Sequence, residues 1–278
     1  MYIFLLLGWF MPMQSQDVIT ANEVIDRIKS SVTCPWSSET VDTFKSGDPQ
    51  SKVTGIACTF TASVEVIRQA AEKGCNLVIT HEPTFYNHLD GVSGLEEDPV
   101  YMAKKKLLDE LGMVVFRFHD HWHRTSPDGI YAGMIDKLQW GQCLEQGEER
   151  VFRFPETSLK EMSTYLKGVF PEAIPRVIGD PDLKIRKVAF IAGAPGSAAH
   201  IEMLRRKDID LIIIGEAREW ETVEYVRDAV QLGMHKGMVI LGHVVSEEEG
   251  MHYCAQWLSS FIDEVPVYFV EAGDPFSP

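Results

Sequence analysis

Three short polar clusters stand where apolar segments end, and their residues are of the types that bind metal ions. His81 and Glu82 follow the segment NLVIT, and His243 follows MVILG, with Glu247 four residues later. The third cluster, HDHWH at residues 119–123, follows the segment MVVFRF. Imidazole and carboxylate groups without a nearby thiolate suit zinc, iron, manganese or nickel. The sequence therefore predicts a metal site.

Each cluster also has a purely structural explanation. His81 and Glu82 could be polar residues that close a strand, and residues 119–123 could form a solvated histidine-rich loop. Glu247 could belong to an N-cap box, in which acidic side chains favour the helix dipole. His243 follows a glycine and is compatible with a turn histidine. Taken together, the three clusters favour a metal site over these separate explanations.

An extended backbone in the third cluster would determine which of its side chains face the same way. Alternate residues of an extended segment face the same side, which would place His119, His121 and His123 on one surface, with Asp120 and Trp122 behind them. In open α/β sheets, functional sites lie beyond the carboxyl ends of the strands. The ends of strands in one sheet lie about 5–10 Å apart. One or two metal ions could therefore gather all three clusters.

The elements that must position these clusters alternate between strands and helices. Thr20 and Glu23 form the pattern of a capping box that opens the first helix. Asp98 and Pro99 supply an N-cap residue and an N1 proline for a later helix. Strands separated by helices of this length indicate parallel βαβ units, so the predicted class is α/β. The strand patterns are residues 53–60, 76–80 and 113–118, and the helical patterns are residues 20–31, 62–74 and 101–111.

The second half of the chain repeats the pattern of the first. A strand, a helix and a second strand within residues 187–214 parallel the strand–helix–strand unit of residues 53–80. We expect two related three-layer α/β lobes with mostly parallel sheets and the metal site between them. A chance likeness between two generic βαβ units is the alternative. The expected lobes are residues 17–146 and 147–278, and the C-terminal part, with strands at residues 238–242 and 267–270 and a helix from about Glu247, completes the metal site.

Composition and charge narrow the classes of function. The chain has 278 residues, 45% hydrophobic and 24% charged, which is the balance of a soluble globular protein. Acidic residues outnumber Lys and Arg by 41 to 26, and this net charge of −15 argues against non-specific nucleic-acid binding. Five scattered cysteines without a Cys-x-x-Cys pair indicate neither a disulfide framework nor a thiolate zinc site. Neither of the common glycine-rich phosphate loops occurs, so the sequence does not favour a nucleotide.

The N-terminal residues 1–13 are almost wholly apolar and precede a polar stretch. Their length fits the apolar region of a secretory signal and is too short to span a bilayer. No Lys or Arg precedes the run, and Met13 with Ser15 makes a poor cleavage site, so a wrongly chosen start codon or a strand-like extension is the alternative. We expect export if residues 1–16 are a signal peptide and a cytoplasmic protein otherwise, with no membrane span in the mature chain.

Three motifs resemble those of a known family. GDP at residues 47–49, VTGIACTFTASVEVIRQAAEKGCNLVITHEP at residues 53–83 and GHVVSEEEG at residues 242–250 are similar to the NIF-three-like family. Members of that family are also called GTP cyclohydrolase I type 2 homologues. The likeness runs from about Ile19 to Phe276. The resemblance implies a dinuclear metal centre between two related α/β lobes and a homo-oligomer, namely a hexameric ring of subunits.

Carried over residue by residue, the resemblance implies an altered ligand pattern. His81 matches the first of two adjacent family histidines, whereas Glu82 replaces the second. The family's His-Thr-Asn-Leu-Asp corresponds to residues 119–123, so His123 stands where the family has an aspartate ligand. One histidine has become a carboxylate and one carboxylate a histidine, which indicates a rearranged site rather than a lost one. With the matching Gly-His-x-x-Ser/Thr-Glu motif, the predicted metal ligands are His81, Glu82, His119, His123, His243 and Glu247.

The predicted site leads to two classes of function. Two divalent ions about 3.5–4 Å apart activate water and stabilise an oxyanion, as in phosphate-ester, amide and ring-opening hydrolases. A neutral imidazole cannot bridge two ions, so Glu82, Glu247 or a hydroxide takes that role. Asp120, His121 or Glu216 would be the general acid or base acting on an unidentified small-molecule substrate. The alternative is a non-catalytic metal-binding or metal-delivery protein that forms an oligomeric ring.

Overall fold

The computed structural model describes residues 18–276 and contains two five-stranded sheets. The first sheet consists of β1 (Phe44–Ser46), β2 (Ile56–Thr59), β3 (Leu77–Thr80), β4 (Val114–Arg117) and β10 (Val267–Phe269). The second consists of β5 (Val151–Ser158), β6 (Arg176–Ile178), β7 (Lys184–Ile191), β8 (Leu211–Ile214) and β9 (Gly237–Ile240). The helices are α1 (Ala21–Ser31), α2 (Val64–Glu72), α3 (Pro99–Glu110), α4 (Asp120–Arg124), α5 (Gly129–Lys137), α6 (Leu159–Val169), α7 (Ser197–Arg205), α8 (Glu224–Gln231) and α9 (His243–Ser259).

The two halves of the chain share one topology. The strand order is β1-β4-β3-β2-β10 in the first sheet and β5-β7-β8-β9-β6 in the second. Among the described residues, five of the eight strand pairings are parallel. The element order α-β-β-α-β-α-β runs from α1 to β4 and again from α6 to β9. In each of these two units the first strand pairs antiparallel with the last, and this confirms an α/β fold with two related lobes.

The C-terminal segment joins the first sheet, not the second. Val267 of β10 lies opposite Ile56 of β2 in a parallel pairing. The helix α9, which precedes β10, also packs on β2. The second sheet takes β5 as its fifth strand, antiparallel to β7. Elements late in the chain therefore reach back to the first lobe, while the boundary between residues 146 and 147 stays a prediction.

The largest hydrophobic core connects the facing sides of the two sheets. It contains Ile56 of β2 and Phe190 of β7 together with Met134 of α5 and Met251 of α9. Two smaller cores lie on the outer sides, one between the first sheet and helices α2 and α3, the other between the second sheet and helices α7 and α8. Helices α5 and α9 thus lie in the shared core and pack against each other.

Local signals set the predicted helix starts. The Thr20 side chain accepts from the Glu23 amide, and the Glu23 carboxylate accepts from the Thr20 amide, which is the predicted capping box. Asp98 accepts hydrogen bonds from the amides of Val100 and Tyr101 at the start of α3, with Pro99 at N1. Both predicted caps are therefore confirmed.

The third polar cluster is helical, so the extended backbone that would place His119, His121 and His123 on one surface does not form. Residues 120–124 form α4, and the His123 amide donates to the His119 carbonyl. The carboxylate of Asp42, which lies just before β1, accepts from the amides of His119, Asp120 and His121. A buried carboxylate distant in sequence therefore caps this short helix, which no local pattern indicates.

Helix α9 starts earlier than the sequence predicted. It begins at His243, directly after Gly242, whose φ of 104° is accessible to glycine at little cost and allows β9 to turn into the helix. Glu247 therefore does not belong to an N-cap box, and the Ser246 hydroxyl donates to the His243 carbonyl and accepts from the Gly193 amide. The consequence is that His243 and Glu247 lie one turn apart on one helix face.

Two expectations concern the N-terminus and the membrane. The proposed signal segment, residues 1–16, lies outside the described residues. Within residues 18–276, no helix combines the length and the apolar character that a bilayer crossing requires.

Candidate metal centre

The carboxyl ends of β3 and β4 and the first turn of α9 meet at one place. β3 and β4 pair in parallel, with Thr80 opposite Arg117, so the residues that follow both strands emerge side by side. His243 and Glu247 approach from α9, which packs against the neighbouring strand β2. The structure thus brings together all six residues that were predicted as ligands, which are His81, Glu82, His119, His123, His243 and Glu247.

Three histidines form one side of the cluster. The ring of His81 lies 4.6 Å from that of His119 and 4.9 Å from that of His123, measured between centroids. Ligand atoms of these three residues lie within 4.8 Å of one another. His81 is fully buried, and its Nε2 has no hydrogen-bond partner among the described residues. A buried nitrogen without a partner costs free energy, and a metal ion at this position would satisfy it.

The two glutamates connect this side to His243. Glu247 Oε2 lies 3.5 Å from His81 Nε2 and 3.1 Å from His243 Nε2, and its Oε1 lies 3.9 Å from His123 Nε2. Glu82 Oε1 lies 3.5 Å from His243 Nε2 and 3.7 Å from His119 Nε2. Each carboxylate therefore faces two or three imidazole nitrogens, as the donor set of a metal centre does.

Each histidine has its other ring nitrogen held by a protein oxygen. The Nδ1 atom contacts the Phe118 carbonyl in His81, Asp120 in His119, Asp128 in His123 and Glu216 in His243, at 3.3, 2.9, 3.1 and 3.2 Å. When Nδ1 carries the proton and donates it to such an oxygen, Nε2 presents a lone pair. Partners of this kind orient ligating histidines and raise their basicity. All four Nε2 atoms point into the same cluster.

A backbone glycine makes room for the central carboxylate. Gly193, in the loop after β7, has φ +66°, and a Cβ atom there would lie 2.1 Å from Glu247 Oε1. Any side chain at this position would displace Glu247, which is 3% exposed. The loop after β7 of the second sheet therefore leaves room for the Glu247 carboxylate.

Burial and neighbouring charges set the protonation of the histidines in opposite directions. Burial, with the adjacent imidazoles, holds the pKa of His81 well below its usual range, and the pKa of His119 is lowered in the same way. Burial also opposes the charged form of His243, but its contacts with Glu247 and Glu82 outweigh burial and raise its pKa to about 10. For His123, Asp128 and Glu247 outweigh burial and the charge of Arg150, so its pKa is raised. A metal ion bound at His243 would replace a proton.

The three residues predicted as acids or bases have different surroundings. Asp120 contacts His119 and accepts hydrogen bonds from the Thr40 hydroxyl and the Val41 amide; burial raises its pKa, but these contacts outweigh burial and lower it to about 2. Glu216 contacts His243 Nδ1, and its side chain is 62% exposed. The structure does not bring His121 into the cluster.

His121 lies behind the site because α4 turns it away. Its Nδ1 lies 2.7 Å from Asp42 Oδ2, and its Nε2 accepts from the Ser37 amide at 2.9 Å. Its ring stacks on Trp36 with centroids 3.7 Å apart. Both ring nitrogens are therefore occupied, and the side chain is fully buried away from the cavity. In a helix, residues four positions apart share a face and residues two apart do not, so His119 and His123 lie together without His121.

Sequence reasoning missed two charged residues that match the altered ligand pattern. Arg117 is fully buried, and its Nη2 lies 3.4 Å from Glu82 Oε2. Asp128 holds His123 through Oδ2 while its Oδ1 caps α5. A carboxylate at position 82 thus faces a cation, and an imidazole at position 123 faces an anion. The Asp-Gly pair at residues 128–129 was a local cap signal, but no pattern connected either residue to the cluster.

The cluster lies at the base of a cavity of about 980 Å³. His119, His123, His243 and both glutamates line it. Its other walls combine aromatic and basic side chains with the loop after β7, and they include Phe60, Tyr86, Lys104, Tyr131, Arg150 and Ala194. Cavities of this size accept small-molecule ligands.

Comparisons with known proteins agree with the motifs. A "GTP cyclohydrolase 1 type 2 homolog" of Clostridium acetobutylicum is 26% identical over 213 residues, which are 72% of this chain and 75% of the relative. A protein of the same name from Clostridium perfringens is 23% identical over 242 residues, 83% of this chain and 88% of the relative. These sequence relatives thus cover both lobes.

Solved structures show the same fold. A Staphylococcus aureus hypothetical protein superposes with a TM-score of 0.72 at 16% identity and covers 94% of this chain and 100% of its own. A Bacillus cereus protein related to NIF3 has a TM-score of 0.68 at 15% identity, with 94% and 99% covered. The family model described as Duf34/NIF3 (NGG1p interacting factor 3) matches residues 19–275. Because this match spans nearly the whole chain, the protein belongs to the Duf34/NIF3 family.

Proposed function

We propose that this protein is a dinuclear metal-dependent hydrolase that acts through a metal-activated water on a small substrate. The observation that carries the proposal is the convergence of four histidine Nε2 atoms and two glutamates at the base of a cavity, with every Nδ1 held by a protein oxygen. His81 Nε2 is buried in this convergence without a hydrogen-bond partner among the described residues, and a metal ion there would satisfy it.

The predicted ligands form two groups, each of which would hold one ion, and Glu247 faces both groups. His81, His119 and His123 form one group, and His243 with Glu82 forms the other. Glu247 faces the first group through both oxygens and His243 through Oε2, so its carboxylate would help to hold both ions. The donor set of imidazoles and carboxylates fits zinc, iron, manganese or nickel.

The chain's own residues would serve the reaction mainly by holding the metal-binding histidines in position. Two divalent ions in such a site supply a nucleophilic water and stabilise charge on an oxyanion. Asp120 and Glu216 orient His119 and His243 through their Nδ1 atoms. The exposed Glu216 carboxylate would accept the hydrogen bond from His243 Nδ1–H and so keep the lone pair of His243 on Nε2.

Metal content and turnover test the proposal together. We expect about two metal equivalents per chain, and hydrolysis that a chelator abolishes and one added metal restores. His243→Ala should lose close to one equivalent, since it removes the main imidazole of one group. His252→Ala is the matched control, because His252 lies on the same helix but is exposed and contacts Glu249.

The outcomes separate the hydrolase from the metal carrier. Bound metal that exchanges fast, with no turnover of phosphoesters, cyclic nucleotides, GTP or amides, would favour a metal-binding or metal-delivery protein. Absence of metal after expression in metal-supplemented medium would contradict both functions. The hexameric ring and the export of the chain also stay proposals; sedimentation analysis checks the first, and the N-terminal sequence of the mature protein checks the second.

A further inference from the structure

We propose that Arg150 and Lys104 form an anion-binding site in the cavity above the metal cluster, so that the ligand is a small organic anion carrying a phosphate or a carboxylate. As a statement of the substrate class, this inference rests on the proposed function. Arg150 and Lys104 line the cavity whether or not a metal ion is bound. Anion binding by these two residues can therefore be measured separately from metal binding.

Arg150 presents a fixed guanidinium to the cavity. Its central carbon lies 4.8 Å from the centroid of the Tyr131 ring. Tyr131 is only 5% exposed, and its hydroxyl accepts from the Ala192 amide at 3.0 Å, so the ring is a rigid platform. Within residues 18–276, Arg150 forms no ion pair with a carboxylate. A stacked guanidinium keeps its N–H edge available, and that edge matches the paired oxygens of a phosphate or carboxylate.

Lys104 adds a buried positive charge to the same cavity. It lies on α3, is 5% exposed and donates to the Thr84 carbonyl at 2.7 Å, while its ammonium lies 5.3 Å from the Tyr86 ring centroid. No carboxylate in the described part of the chain pairs with it. An ammonium has three donors, and this contact uses one of them. Burial lowers the pKa of Lys104 to about 8, which leaves most of it charged at pH 7.

The remaining charges of the cavity also favour an anion. The carboxylates that line it, Glu82 and Glu247, both face histidines of the metal cluster. Arg150 and Lys104 are therefore the charges that a ligand would meet on the walls, in a chain whose net charge is −15. Phe60 and Tyr86 add flat apolar surface, which fits an organic ligand rather than an inorganic ion.

The test measures binding, not turnover. Phenylphosphonate, benzoate and neutral benzyl alcohol are titrated by calorimetry into zinc-loaded and metal-free protein. Arg150→Gln should weaken binding of the preferred anion about tenfold or more in both preparations, since a charge-assisted hydrogen bond is lost. Lys104→Met should weaken it several-fold. The exposed neighbours Arg153→Gln and Lys105→Met are matched controls and should bind like the unaltered protein.

The comparison of the two anions assigns the phosphate or carboxylate class. Arg150→Lys keeps the positive charge but loses the planar guanidinium edge. It should therefore bind the anion more tightly than Arg150→Gln and more weakly than the unaltered protein. Unchanged anion binding in both Arg150→Gln and Lys104→Met, or benzyl alcohol binding as tightly as the anions, would overturn the inference. If no zinc is retained but Arg150→Gln still weakens anion binding to metal-free protein, the proposed function fails and the anion site stands. If two zinc ions bind but neither substitution has an effect, the anion site fails and the metal centre stands.

Discussion

At His123, the neighbouring residues contact both ring nitrogens of a predicted metal ligand. The family resemblance places an aspartate at its position, yet the imidazole here has Asp128 at 3.1 Å from Nδ1 and Glu247 at 3.9 Å from Nε2. Glu82, the other altered position, has Arg117 beside it. Glu82 therefore lies beside a cation, and His123 lies beside an anion. Such matched neighbours stabilise the two residues at the positions where the predicted ligand pattern departs from that of the family.

At the residue scale, Asp128→Asn should weaken metal binding about 10- to 100-fold, the usual effect of removing a partner of a ligating histidine. The amide can keep an oxygen for the cap of α5, which uses Asp128 Oδ1, but places an NH₂ group opposite Nδ1. The His123 proton then moves to Nε2 and blocks the ligand atom. Zinc affinity is measured by competition with a chelator.

Asp98→Asn is the matched control for this substitution. Asp98 caps α3 through the same pair of contacts that Asp128 makes at α5, but it lies away from the cluster. Equal zinc affinity in the two variants would show that Asp128 acts only as a helix cap.

At the scale of elements, the close crossing of α5 and α9 sets the position of the predicted ligands His243 and Glu247. A Cβ atom on Gly133 would lie 2.2 Å from the Glu249 carbonyl oxygen, and one on Gly250 would lie 2.4 Å from Ile130 Cα. The Trp122 indole donates to the Gly250 carbonyl at 3.2 Å, which joins α4 to the same crossing. Close backbone contact therefore fixes α5 against α9, and the Trp122 hydrogen bond fixes α4 to the same crossing.

Gly133→Ala should lower the free energy of unfolding by about 2–3 kcal/mol, because the methyl group meets backbone and forces α9 outward. The same shift should weaken zinc binding. Gly168→Ala in α6 is the matched control, since a Cβ atom there meets nothing within 4 Å. It should leave stability unchanged or raise it by up to about 1 kcal/mol. Urea unfolding followed by circular dichroism measures the stability of both variants. An equal free energy of unfolding in Gly133→Ala and Gly168→Ala would show that the crossing tolerates a methyl group.

At the scale of the whole molecule, the two ends of the described chain are tied together on the first lobe. Arg27 of α1 donates from Nη1 to Glu264 Oε2 at 3.0 Å and to the Phe261 carbonyl at 3.2 Å. Glu264 lies between α9 and β10, so this pair connects the first helix to the segment that returns to the first sheet. The hydrogen bond from Arg27 lowers the pKa of Glu264 to about 2.

A lowered carboxyl pKa stabilises the folded chain above the ordinary value near 4.5, and this contribution disappears as the pH falls through about 2. The Arg27 side chain is 40% exposed, so solvent screening limits the effect. We expect Glu264→Gln to cost on the order of 1 kcal/mol at pH 7, and the difference from the unaltered protein to vanish near pH 2.

The control for this pair is Glu110→Gln, which removes an exposed partner of Lys106. It should change stability by less than about 0.5 kcal/mol at either pH. Unfolding free energies of the three proteins are compared across the pH range. A Glu264→Gln effect that is the same at both pH values would mean that the ion pair is not its source.

The sequence by itself determined the features that depend on neighbours a few residues apart. The capping box at Thr20, the Asp98-Pro99 helix start and the apolar strand patterns act locally, and each appears where it was predicted. The convergence of His81 and His119 followed as well, because parallel strands bring their carboxyl ends to one edge of a sheet. Their binding of a metal ion stays a prediction.

Only the tertiary structure decided the features that depend on contacts between distant parts of the chain. Asp42 caps α4 and so turns His121 away from the cluster, and Gly242 starts α9 at His243. The pairing of β10 with β2 likewise joins segments from opposite ends of the chain. Local sequence patterns do not indicate such distant partners, because these contacts form only when the folded chain brings the residues together. For that physical reason the residue types of the site could be read from the sequence, while its shape, charge and orientation could not.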